Sequence, residues 1–169
     1  MNEFTELPDL LAPGLKAIIC GLNPGLQAAA SGHHFVGRQN RFWTVAHRAG
    51  LTPVLLDGYS DHRFLEFGFG LTAVVARPTA SAAEVSKSEY AFAGAELARK
   101  IETYRPQAVA FLGKAAYGAI HGQSKIAWGQ QPEAFAGAIA WVLPNPSGLN
   151  RGFSTDDLVD HYSRFRQTL

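Results

Sequence analysis

Cysteine is almost missing from this 169-residue chain, where Cys20 stands alone. A single thiol excludes an internal disulfide, a four-Cys zinc site and a Cys-ligated iron–sulfur cluster. It leaves Cys20 the part of a small buried residue ending a strand. Charge is also sparse, at 17% of residues, and balanced, with 15 Lys and Arg against 14 Asp and Glu. A net charge of +1 makes no global electrostatic case for nucleic acid. No apolar run approaches the roughly 20 residues of a membrane span. The first residues carry acids where a signal peptide would carry Lys or Arg, so a cytoplasmic protein with no membrane partner is expected. Repeats, low-complexity stretches and Pro/Gly-rich linkers are absent as well. With 47% hydrophobic residues the chain is too apolar for disorder. Its length suits one domain over residues 1–169, burying roughly 70% of the unfolded surface, with 1–10 as a loose N-terminal segment.

The charges that are present are segregated. From Leu10 to Leu56 there is no acid, only Lys16, Arg38, Arg41 and Arg48. Thr103 to Pro132 holds Arg105, Lys114 and Lys125, again without an acid. Such a distribution gives a near-neutral protein the means to carry one positive face, although a short chain also segregates charge by chance.

Hydrophobic patterning sets the order of elements. Lys16 to Leu22 reads as a buried strand ending at glycine, followed by a loop rich in Gly, Ala, Ser and His. Gln39 to Ala49 reads as a short helix stopped by Gly50, and Asp61 to Phe67 as another. Leu71 to Ala76 is a second strand. Ser88 to Tyr104 is the strongest helix, closed by Arg105-Pro106. Strand Ala108–Leu112, helix Lys114–Ile120, strand Ala138–Leu143 and helix Thr155–Arg166 complete the chain, with Ser154 as N-cap and Asp156 and Asp157 in the first turn. Short apolar strands separated by helices specify a parallel sheet covered on both faces. The fold class expected is therefore a three-layer α/β/α sandwich.

In open α/β sheets ligands sit beyond the carboxyl ends of the strands. Two polar loops begin at such ends, Gly21-Leu22-Asn23-Pro24-Gly25 and Asn145-Pro146-Ser147-Gly148-Leu149-Asn150-Arg151. Either alone reads as a turn. Together they form a site if their strands lie close enough for the loops to meet across the sheet edge. Other chemistries fare worse. Gly113-Lys114 lacks the upstream glycine and the following Ser or Thr of a P-loop, leaving only a cation at a helix N-terminus that can touch a phosphate. His33 and His34 have no Cys, Asp or Glu at ligand spacing, so no metal is expected. Ser31 and Ser147 lack the nucleophile-elbow context of a serine hydrolase. Trp43, Trp128 and Trp141 read as packing aromatics.

Six segments carry a resemblance that covers nearly the whole chain: APGLKAIICGLNPGL (12–26), GHHFVGRQNRFW (32–43), GLTAVVARPT (70–79), EVSKSE (84–89), LGKAAY (112–117) and WVLPNPSGLNR (141–151). In this order and spacing the chain resembles the mismatch-specific uracil/thymine DNA glycosylases. The resemblance implies a uracil-DNA glycosylase-like sandwich and a monofunctional, cofactor-free and metal-free enzyme. It would excise uracil, or thymine or damaged pyrimidines, opposite guanine in double-stranded DNA. The implied protein is a bacterial, nucleoid-associated monomer whose product is an abasic site for base excision repair. Asn23 then matches the residue that holds the attacking water, and Asn145 the residue facing the base's O2. Leu22 and Phe35 match the readers of the pyrimidine, Phe35 by stacking. Ser147 matches a phosphate contact, and Gly148, Leu149, Asn150 and Arg151 the wedge that fills the vacated stack.

Three positions bear on specificity. Ala28 matches the thymine-active relatives, where some bacterial members carry Ser, and implies room at the pyrimidine C5. Ala73 replaces the polar or ionisable residue common at that place, so a contact to the flipped base is lost. Asn150 replaces a smaller residue. An amide stays neutral and cannot act as an ordinary general base, so slow turnover is expected. Two rivals follow from the same residues: a catalytically weak mismatch-binding protein on this fold, and an α/β enzyme acting on a free nucleoside or nucleotide.

Overall fold

The computed structural model describes residues 6–169. Five strands form one sheet in the order β2-β1-β3-β5-β4: β1 (Ala17–Gly21), β2 (Phe69–Ala73), β3 (Ala108–Leu112), β4 (Gly129–Gln130) and β5 (Ile139–Leu143). The four long strands are parallel, and the two-residue β4 pairs antiparallel with β5. The chain crosses to β2 on one side of β1 and returns to β3 on the other. That reversal of strand order opens a crevice at the carboxyl ends of β1 and β3.

Alternation within β1 divides the core. Ala17 and Ile19 face a cluster with α2 (Phe42–Arg48), a 3-10 helix (Gly58–Phe67) and α5 (Thr155–Gln167). Ile18 and Cys20 face α3 (Lys87–Tyr104) and α4 (Lys114–His121). These are the expected three layers around a mainly parallel sheet. Cys20 is fully buried, and desolvation pushes its thiol far above the ordinary range. Ser154 caps α5 in a reciprocal capping box with Asp157, and Arg105 ends α3 in the left-handed conformation.

Four readings need correction. The loop after β1 contains a short helix, α1 (Leu26–Ser31), whose Ala-rich turn lacks the polar face that marks an amphipathic helix. The second strand covers Phe69–Ala73 rather than 71–76, because Val74 and Val75 donate to the carbonyls of Gly21 and Leu22, where β1 itself ends. The strand β4 is too short to leave a periodic signal. The loose segment expected over 1–10 does not extend to its last residues, residues 1–5 lying outside those described. Leu10 pairs with Leu71, and the Asp9 carboxylate accepts from Lys100 at 2.7 Å and from Thr72 at 2.8 Å.

Candidate active site

A cleft of about 380 Å³ lies over the carboxyl ends of the sheet, lined by Gly21 and Leu22 from the β1 loop, Ala73 from β2 and Leu112 from β3. Asn23 and Asn145 line this same cleft, so the two polar loops do meet. They meet on top of the sheet and not across its edge, with β3 lying between β1 and β5. Among the described residues no Asp, Glu, Lys or Arg lines the cleft. Asn, Gln, Ser and Thr side chains, backbone groups and one histidine supply its polarity.

Asn23 stands two residues beyond β1 and is held by a strap that follows β2. Its Nδ2 donates to Thr79 Oγ1 at 2.7 Å and to the Arg77 carbonyl at 3.0 Å. The Thr79 N–H donates in return to the Pro24 carbonyl at 3.1 Å. Asn145 is held from its other end. Its Oδ1 accepts from the Ser147 N–H at 3.0 Å in an Asx turn, and its backbone carbonyl accepts from Asn150 Nδ2 at 2.9 Å. Asn150 thus closes the loop 145–150 on itself.

Phe35 and Ala28 reach the cleft from the connection between β1 and α2. Phe35 has φ of +56°, a strained state for a bulky residue that persists only where its surroundings fix it. Here they do: buried Asp61 accepts from the His34 N–H at 2.8 Å, and the Trp43 indole donates to the His34 carbonyl at 3.2 Å. The Phe35 ring stacks on Phe42 with centroids 4.2 Å apart. Among the described residues, neither the Leu22 nor the Phe35 N–H donates to a protein group. His34 donates Nε2–H to the Pro8 carbonyl at 2.7 Å, and burial lowers its pKa below the ordinary histidine value.

Ser147 and Leu149 also line the cleft, and Leu149 is 69% exposed at its rim. Arg151 is exposed beside it. Gly148 is required by close approach, since a Cβ there would sit 2.5 Å from that of Gln39. Lys114 is not among the lining residues. It opens α4 beside a separate shallow hollow, with Nζ 4.4 Å above the Trp128 ring.

Two residues outside the expected set build this site. Arg41 donates to the carbonyls of Ser147 (3.2 Å), Asn150 (3.0 Å) and Phe153 (2.8 Å), gripping the Asn145 loop from beneath. Asp61 fixes the turn that presents Phe35. The sequence carries a signal only for Arg41, one of four cations in an acid-free stretch. Among the described residues no three His, Cys, Asp or Glu side chains gather as a metal site requires.

Comparison with known proteins bears on the fold and the family. A solved NMR structure from Methanosarcina acetivorans, of a protein provisionally named a uracil DNA glycosylase, superposes with a TM-score of 0.58 at 18% identity over 97% of both chains. At that identity the likeness shows a shared fold. The family model described as the uracil DNA glycosylase superfamily matches residues 8–169, and the chain therefore belongs to the uracil DNA glycosylase superfamily.

Proposed function

We propose that this uracil DNA glycosylase acts on uracil mispaired with guanine in double-stranded DNA, flipping the nucleotide into the cleft and leaving an abasic site. The observation that carries the reading is a cleft with no lining carboxylate among the described residues and two asparagines of opposite polarity. Asn23 offers Oδ1, to which no protein group donates among the described hydrogen bonds, and Asn145 offers Nδ2, which donates to none.

This arrangement suits departure of the base before attack of the water. The C1′–N1 bond breaks with its electron pair leaving on the uracil. Asn145 Nδ2 donates to the O2 where that negative charge develops, while the Leu22 and Phe35 N–H groups read the pyrimidine edge. The free face of Phe35 stacks on the base. Asn23 Oδ1 accepts from a water whose oxygen then bonds C1′ of the sugar cation, its proton passing to solvent or to the departed uracil anion. Because an amide only polarises this water, the step stays slow.

Selectivity for mismatches follows from the flipping cost of a few kcal/mol, which is least for a mispaired base. Leu149, exposed at the rim, fills the vacated stack, with Gly148, Asn150 and Arg151 facing the orphaned guanine and Ser147 a phosphate. The Ala28 methyl and the small Ala73 leave room for thymine. Lys114, outside the cleft, serves a phosphate remote from the flipped base.

The test is single-turnover excision on duplexes carrying G·U, A·U, G·T and G·C pairs and on single-stranded uracil, with Asn23→Ala beside the wild type. Preference for G·U, lost by ~10³-fold or more in the variant while abasic-duplex binding persists, is the expected result. Folded protein that binds duplex but excises nothing would instead make this chain a mismatch binder.

A further inference from the structure

An asparagine side chain presents an acceptor and a donor on one planar group, and nothing in the group decides which faces the cleft. At Asn23 the neighbours decide. The Arg77 carbonyl can only accept. The Thr79 hydroxyl has one proton, and that proton goes to the Ser81 carbonyl at 2.7 Å. Toward Asn23, 2.7 Å away, the Thr79 oxygen can therefore only accept. Turning the amide over would set Oδ1 against these two acceptors and the Pro24 carbonyl, which also accepts from Nδ2 at 3.4 Å, and forfeit the hydrogen bonds to them.

The strap carrying these groups is itself tied down. Thr79 is 5% exposed and bridges to Gly25. The Arg77 guanidinium makes a two-pronged pair with Glu89, at 2.9 and 3.1 Å, and donates to the Glu84 carbonyl at 3.3 Å. The same Glu89 carboxylate accepts from the Ser86 N–H at 2.8 Å and so belongs to the N-terminal cap of α3. A chain of fixed partners thus runs from the first turn of α3 to the amide in the cleft.

We propose that Thr79 is a positioning residue for base excision, its hydroxyl holding the Asn23 amide with Oδ1 toward the cleft, and that the Arg77–Glu89 pair holds the strap in register. The inference rests on the reading of Asn23 as the residue that holds the attacking water. Thr79 lines the cleft, but its hydroxyl is taken up by Asn23 and the Ser81 carbonyl, so it acts through Asn23.

The experiment measures the single-turnover excision rate on the G·U duplex and, separately, affinity for an abasic duplex. Thr79→Val keeps the shape and removes the acceptor. Its rate should fall by on the order of 10- to 100-fold, the effect of one lost hydrogen bond plus release of the amide, while abasic affinity stays within about twofold. Thr79→Ala serves as a second acceptor-free variant with the same expected loss. Thr79→Ser, which keeps the hydroxyl, should recover the rate to within about threefold. In the Asn23→Ala background, Thr79→Val should add no further loss, because there is no amide left to orient. Wild-type rates in both acceptor-free variants beside an inactive Asn23→Ala would overturn the proposal alone. So would a loss shared equally by rate and affinity, or one that Thr79→Ser fails to recover. A wild-type rate in Asn23→Ala would instead remove the reading beneath it.

Discussion

The loops after β1 and β5 present the same residue type to one cleft and hold it by opposite ends. Asn23 is gripped through its nitrogen by groups remote in sequence, Arg77 and Thr79, and its oxygen is left free. Asn145 is gripped through its oxygen by its own loop, two residues on, and its nitrogen is left free. A neutral side chain thus becomes an acceptor in one place and a donor in the other, with no Asp, Glu, Lys or Arg among the described residues that line the cleft. The difference teaches that the role of an amide is written in its partners and cannot be read from its identity.

The comparison breaks most sharply by inverting one side of it. Asn145→Asp keeps an oxygen for the Ser147 N–H, so the Asx turn survives, but it turns the cleft-facing donor into an anionic acceptor beside the neutral one of Asn23. Loss of a single donor to a developing oxyanion lowers kcat by about 10²–10³-fold, the effect expected for Asn145→Ala. Asn145→Asp should be worse than Asn145→Ala by a further tenfold or so, because like charge now faces the departing base. Single-turnover rates on the G·U duplex check this. Equal rates in the two variants would mean that Asn145 does not face the charge that develops.

The loops also differ in what anchors them, and Arg41 sharpens that contrast. The Asn23 loop is pinned by a neighbouring strap, whereas the Asn145 loop is held by one guanidinium reaching three of its carbonyls. No carboxylate pairs with Arg41 among the described salt bridges, and its buried Nε has no partner. Arg41→Ala should destabilise the protein by about 2–4 kcal/mol through carbonyls left without donors. It should also lower excision about tenfold, more through KM than Asn23→Ala does, since the wedge loop carries the DNA contacts. Arg41→Lys should rescue little, because an ammonium cannot span three carbonyls. A Tm and rate both at wild-type values would show that the loop holds itself.

Much of this was legible in the sequence, for identifiable reasons. Short apolar strands, capping residues such as Ser154, and glycine at the end of β1 act locally, and the fold class followed from them. Asn23 and Asn145 were legible as polar residues where buried strands end. Their opposite polarity was not, because Thr79 and Arg77 are more than 50 residues from Asn23. Arg41 and Asp61 were also hidden as parts of the site. Each acts on backbone groups brought near only by the crossovers of the sheet. The helix α1 was missed because six residues with three alanines and no side-chain N-cap give no periodic signal. Lys114 was legible as a cation at a helix N-terminus able to touch a phosphate, but its place over Trp128 beside a different hollow was not, because the first turn of α4 sets it there.

The smallest effect expected is none at all. A carboxylate acting as general base would give excision an acidic limb where it protonates, at about pH 4–6. Among the described residues no carboxylate lines this cleft, and His34, the one titratable lining side chain among them, has its pKa lowered by burial. The single-turnover rate should therefore stay flat between about pH 6 and 8 and show no limb of unit slope on the acid side while the protein remains folded. Stability should behave otherwise. The His34 pKa is lowered in the folded state, so the unfolded chain binds the proton first, and stability starts to fall as pH drops below about 6.5. The Glu89 carboxyl is held down to about 2, first by its bond from Arg77 and then by the Ser86 N–H, so its contribution is full above the unfolded value and is lost as pH falls toward 2. Melting curves and excision rates over one pH series would separate the two. An acidic limb in rate with no matching change in Tm would mean that a carboxylate reaches the water after all, and that Asn23 does not work by polarisation alone.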